Sequence, residues 1–181
     1  MFKIFVALLL TIGVAFAGQS GERPKIKKTN IGKVDEVAPV TRSEAAAIFA
    51  RARKAIVAAR IAQIPLKPTI NPGNQTVPRE EIILEMAKIL DQSRNSVKLL
   101  PPPVKYNPKF FKVQSASAKS ALNRLVSLGM IAPVGALATG PKPGISVAQF
   151  GDSVGFFLAR MAEVTHKPSP RWSPYLMPPT N

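Results

Sequence analysis

Ile145-Ser146-Val147-Ala148-Gln149-Phe150 is the stretch that decides the fold, because two earlier stretches repeat its pattern: Val40-Thr41-Arg42-Ser43-Glu44-Ala45 and Val77-Pro78-Arg79-Glu80-Glu81-Ile82. Each reads as the start of a helix. In the first and third, a hydroxyl residue is followed three positions later by Glu or Gln (Thr41 with Glu44, Ser146 with Gln149). That is the reciprocal box in which two side chains satisfy two orphan backbone N–H groups. Pro78 takes the hydroxyl's place in the middle copy, where its preset φ suits a helix start, and Glu81 occupies the position of Glu44. The helix-start caps expected from sequence are therefore Thr41, Glu44, Glu81, Ser146 and Gln149.

Apolar residues follow each start at helical spacing. The first stripe is Ala45, Ile48, Phe49, Ala52, Ile56 and Ala59, on a helix expected from Arg42 to Gln63. The second is Ile82, Ile83, Met86, Ile89 and Leu90, and the third is Val147, Phe150, Val154, Phe157, Leu158 and Met161. A fourth stripe, Ala118, Ala121, Leu122, Leu125 and Leu128, has no such start, but Ser115 or Ser117 can cap it. Gly129 stands where a left-handed C-terminal residue is wanted, with Met130 placed to pack back on Leu125. The expected class is all-α. The starts at Arg42, Arg79 and Val147 lie 37 and 68 residues apart, which makes a degenerate repeat and not a strict solenoid.

The chain of 181 residues begins with Lys3, an apolar run from Ile4 to Val14, then Ala15-Phe16-Ala17. This order of charge, short apolar segment and small-x-small site predicts a secretory signal peptide over 1–17. The run is shorter than the roughly 20 apolar residues that span a bilayer. The expected localisation is the cell envelope, as an exported protein. With no cysteine in the chain, a lipoprotein anchor, a disulfide framework, a thiolate zinc site and a cysteine nucleophile are all excluded. Helix packing has to supply the stability.

The charge balance is 25 Lys and Arg against 10 Asp and Glu, formally +15, or +14 once Lys3 leaves with the signal segment. A field of this sign attracts anions: acidic wall polysaccharide, anionic lipid head groups or nucleic acid. Residues 18–33 read as a basic flexible leader containing Arg23, Lys25, Lys27 and Lys28. Residues 34–92 then form a first helical unit, 93–108 a Pro-rich linker, 109–164 a second unit, and 165–181 a Pro-rich tail with Trp172 and Tyr175. On the first helix Arg51, Arg53, Lys54 and Arg60 are expected to point away from the apolar stripe. Phe110-Phe111-Lys112-Val113 is expected to be a short extended segment that packs its aromatics on the core.

A helix, a Gly/Pro-rich turn and a T-R-x-E type helix start make up the plan of the S-layer homology repeat, which this chain resembles in three places. They are Val40 to Glu44, Asn71 to Glu81, and Phe111 through Leu128-Gly129-Met130-Ile131 to Phe150. The resemblance covers most of residues 34–164. It implies small helical units that hold an exported protein to acidic, often pyruvylated, wall polysaccharide, with the motif arginine falling on Arg42 and Arg79. The chemistry agrees, since a guanidinium in a first helical turn lies beside free N–H groups and both favour a carboxylate. The third start carries Val147 in place of the arginine, and the preceding helix lacks the His-Trp pair frequent in such repeats.

Catalysis has little to draw on. The lone histidine, His166, falls in the Pro-rich tail, and Glu44, Glu81, Glu85, Asp152 and Glu163 are spaced as caps and surface faces on helices. The expectation is a non-enzymatic wall-binding protein without cofactor or metal. Its partners are acidic wall polymer, another envelope protein docked on the helical core or tail, and further copies of the chain. Nucleic acid is not among them, because Phe110 and Phe111 are the only aromatics placed for stacking beside basic residues.

Overall fold

The computed structural model describes residues 38–96 and 105–170. The expected signal peptide and leader, residues 97–104 of the linker and the tail beyond Pro170 lie outside them. Four helices form: α1 over Arg42–Ala58, α2 over Arg79–Gln92, α3 over Ala116–Ser127 and α4 over Val147–Val164, with one 3-10 turn at Pro108–Phe110. Among the described residues there are two isolated antiparallel bridges and no strand, so the fold is all-α. α2 packs along α3, and α1 along α4.

The caps explain where the helices begin. Thr41 and Ser146 each close a full capping box, with Glu44 and Gln149 respectively, and Ser115 caps α3 by accepting from the Ala118 amide at 3.2 Å. α1 ends at Ala58 and not at Gln63. Arg60 turns left-handed (φ 56), its amide donates to Val57 O, and the Ile61 amide reaches back to Ile56 O at 3.0 Å. This is the six-to-one closure of a Schellman motif, and it turns Ile61 inward to 2 % exposure. The apolar residues beyond Ala58 therefore reach the core from a reversed chain, which helical periodicity cannot anticipate. α3 ends the same way at Gly129 (φ 65), and α4 at His166 (φ 54).

One core runs through both helical units. Ala45, Ile48, Phe49, Ala52 and Ile56 from α1 join the α2 stripe, the α3 residues Ala118 to Leu125 and the α4 stripe from Val147 to Met161. Phe49 meets Phe150 edge-on, with ring centroids 5.1 Å apart, and so couples α1 to α4. The 110–113 segment departs from expectation. Residues 108–110 coil into the 3-10 turn, Phe111 and Val113 pack on the core, and Phe110 stays 66 % exposed.

An ion pair also sits in the core, Arg53 on α1 with Glu85 on α2, although both were expected on solvated faces. The Arg53 Nε and Nη2 donate to Glu85 Oε1 at 3.0 and 2.6 Å, and its Nη1 donates to Pro65 O and Gln92 Oε1 at 2.9 and 2.7 Å. Glu85 Oε2 accepts from the amide and hydroxyl of Thr69. Every lobe of the pair is thus engaged, which is what makes burial of both ions tolerable.

Removing one partner leaves the other charge buried and unmatched. Glu85→Ala is expected to cost about 3–5 kcal/mol in urea unfolding, whereas Arg53→Met with Glu85→Leu recovers most of that loss. Equal losses in the single and double variants would contradict the pairing. At the end of α1, Arg60 pays the left-handed penalty that a glycine escapes. Arg60→Gly is accordingly expected to raise stability by about 0.5–1 kcal/mol in the same assay.

Candidate functional site

The three look-alike stretches meet in space. The Val77 amide donates to Val40 O at 3.0 Å, and the Val40 amide donates to Ile145 O at 2.9 Å. The bridges Pro39–Ser146 and Thr41–Thr76 flank these bonds. Val40, Val77 and Ile145 occupy the first position of each stretch and are all buried.

A second set of bonds closes the arrangement into a ring. The first amide of α1, at Arg42, donates to Gln75 O at 2.9 Å, that of α2, at Arg79, to Pro143 O at 2.7 Å, and that of α4, at Val147, to Ala38 O at 3.1 Å. In each case the acceptor lies four residues ahead of the next helix. Each helix start is therefore seated against the loop that introduces its neighbour, and three helix N-termini with their positive dipole ends share one end of the fold.

The side chain following each seat distinguishes the three edges. Arg42 lies over the loop before α2, where its Nε donates to Asn71 O at 3.2 Å, its Nη1 to Glu81 Oε1 at 2.7 Å, and its Cδ rests 3.7 Å from where a Cβ on Gly73 would be. Pro78 explains why Glu81 is available. A proline has no side-chain acceptor to cap α2 and no amide hydrogen for Glu81 to close a capping box on, and the carboxylate expected as a cap pairs with Arg42 instead. The Arg42 side chain remains 23 % exposed, and its Nη2 makes no hydrogen bond among the described residues.

Arg79 sits at the equivalent place on the next edge with a different outcome. It is 4 % exposed, Nη1 donates to Ala136 O and Gly140 O, and Nη2 donates to Lys112 O. Its Nε is buried without a partner among the described residues. Burial pushes its pKa down from the ordinary value, partly opposed by the neighbouring Glu80 carboxylate. The guanidinium assigned from sequence to a wall carboxylate thus holds three carbonyls of its own chain. Gly140 permits this approach, since a Cβ there would fall 2.5 Å from Ala136 O and 2.9 Å from Arg79 Nη1.

On the third edge Val147 is buried, and among the described residues no guanidinium lines the seat. An open groove of about 500 Å³ lies here, lined by Pro39, Gly140, Lys142, Gly144, Ser146 and Gln149 among others. Lys142 is exposed, has no hydrogen bond among the described residues, and is the one charged residue of the loop 132–144. Sequence reasoning passed over it. The signal was a solitary cation between Pro141 and Pro143 in an otherwise uncharged turn.

Among the described residues no three His, Cys, Asp or Glu side chains cluster to hold a metal ion, and no helix is long and apolar enough to cross a membrane. Comparison of the chain with protein-family models, with curated proteins and with solved structures returns no match.

Glu80 ties the ring to α3. Its carboxylate accepts from the Gln114 amide at 2.5 Å and the Ser115 amide at 3.3 Å. Hydrogen bonds from Ser115 and Gln114 hold it below the usual carboxylate range, with a smaller contribution from Arg79. A depressed folded pKa contributes stability that is complete above the unfolded value, about 4.3, and is lost as pH falls through the folded one. Solvent screening limits this to at most about 1 kcal/mol. Glu80→Gln should therefore be less stable than the parent at pH 6, and the gap should close as pH falls below 4 in an acid series of urea melts. A gap that persists at low pH would remove Glu80 from the linkage.

Proposed function

We propose that the chain is an exported envelope protein that binds acidic wall polysaccharide non-covalently at the ring of helix starts. The observation that carries this reading is the open third edge: a groove at the start of α4, with the exposed Lys142 on its rim and no arginine among the described residues that line it. The formal charge of +15 draws polyanions to the molecule, and an exposed ammonium such as that of Lys142 can donate charge-assisted hydrogen bonds to a sugar carboxylate. The resemblance to S-layer homology repeats points to the same ligand class. Arg42 remains a candidate contact through its partly exposed guanidinium. Arg79 supports the site from below.

Co-sedimentation with purified sacculi, before and after removal of their secondary polymers, tests the reading. The parent should pellet with complete sacculi and largely fail to do so with stripped ones. Arg42→Ala with Lys142→Ala should weaken pelleting by roughly tenfold, about one lost charge-assisted hydrogen bond, and by more than neutralising two of Lys25, Lys27 and Lys28. Equal losses in the two sets, abolished alike at about 0.5 M salt where the Debye length is about 4 Å, would reduce binding to diffuse charge and favour docking on another envelope protein.

A further inference from the structure

The loop 132–144 has a second face. Beside Pro133, Val134 and Thr139 it walls another groove, of about 650 Å³, whose other side is built by Lys105, Tyr106, Phe110 and Lys112. Phe110 and Val134 are 66 % and 73 % exposed, the two highest values among the exposed large apolar residues of the described chain. Tyr106 is fixed from behind. Its ring stacks on Phe111 at 5.8 Å, and its hydroxyl donates to the Asn123 side chain at 3.1 Å. Among the described residues no carboxylate lines this groove, whereas Lys105 and Lys112 do, and Lys109 is exposed on the 3-10 turn that carries Phe110.

Arg79 links the two grooves. One guanidinium holds Ala136 and Gly140, which line the groove at the ring, and also Lys112, which lines the aromatic groove. The Lys112 amide reinforces this by donating to Ala138 O at 2.9 Å. The two grooves thus share one loop, and Arg79 holds the backbone of both.

We infer that the aromatic groove is a second subsite for an acidic sugar ring of the same polymer, so that a single strand engages both faces of the 132–144 loop. An exposed aromatic ring presents a negative face that attracts the C–H face of a pyranose, and the lysines on the same wall, Lys105 and Lys112, match a ring carboxylate. A lipid tail fits less well, because Lys105, Asn107, Lys112 and Thr139 interrupt the apolar lining that an acyl chain requires. Two subsites on one rigid loop also predict a length dependence: a strand long enough to reach both gains affinity from the raised effective concentration of its second end.

This inference rests on the wall-polymer reading but is tested separately from it. Calorimetric titration of the full chain with galacturonate oligomers of one, three and six units, and with maltohexaose as a neutral control, supplies the readout. Affinity should rise by more than tenfold from trimer to hexamer, with no binding of maltohexaose. Phe110→Ala removes an exposed side chain and leaves the core untouched. It should lower hexamer affinity roughly five- to tenfold and abolish the length dependence, while the variant still pellets with sacculi. Lys105→Ala with Lys112→Ala should do the same and flatten the salt dependence.

Hexamer affinity unchanged by Phe110→Ala would overturn the second subsite and leave the wall reading standing. Parent protein that pellets with sacculi yet binds no galacturonate oligomer would also overturn it. Partition into phosphatidylglycerol vesicles that is lost on Phe110→Ala, without oligomer binding, would assign the groove to a lipid surface instead. Failure of the parent to pellet with complete sacculi would overturn the wall reading itself.

Discussion

Everything about this fold turns on the hydrogen bonding of three short extended segments to one another. Amides at Val40 and Val77, and at the first residue of three helices, would each be an orphan donor if left alone, and burial makes an orphan donor costly. The ring satisfies them with carbonyls from the neighbouring repeat. Because each acceptor stands four residues ahead of the next helix, the helices cannot be placed independently. Fixing one start fixes the other two, and the grooves between them follow.

Burial of Arg79 shows how a residue with the chemistry of a ligand contact becomes a building element. A guanidinium can satisfy carbonyls in several directions at once, and loops dense in Gly and Pro expose carbonyls that helices would have consumed. Arg79 gathers those of Lys112, Ala136 and Gly140. Arg42, on the preceding edge, faces a loop with one accepting carbonyl and the Glu81 carboxylate, and so stays near the surface. The same motif position therefore serves two ends according to what the facing loop offers.

Much of this was legible in the sequence. The capping boxes at Thr41 and Ser146, the apolar stripes and the left-handed Gly129 are local signals, and local physics suffices to read them. The charges of the core were legible in principle. Arg53 lies four residues after Phe49 and three before Ile56, and Glu85 three after Ile82 and four before Ile89, so both fall on apolar faces with opposite sign. The habit of assigning charge to solvent hid them. Reading Arg79 as a ligand residue failed to foresee its burial for a different reason, because its partners lie more than 30 residues away on loops whose carbonyls carry no side-chain signature. The end of α1 was misjudged because Arg60 adopts a backbone conformation that its residue type does not advertise.

Closure of the ring also governs the order in which the molecule can assemble. The edge between Ala38 and Val147 joins positions 109 residues apart, and the segment carrying Val40 is hydrogen-bonded to both of the other stretches. During synthesis α1 and α2 are in place long before α4 leaves the ribosome, and until then the carbonyl of Ala38 and the amide of Val40 have only water for a partner. Pairings this remote in sequence form slowly and leave edges open meanwhile. The ring therefore cannot close until the last helix arrives, and the first two helices wait with one edge of their extended segment open.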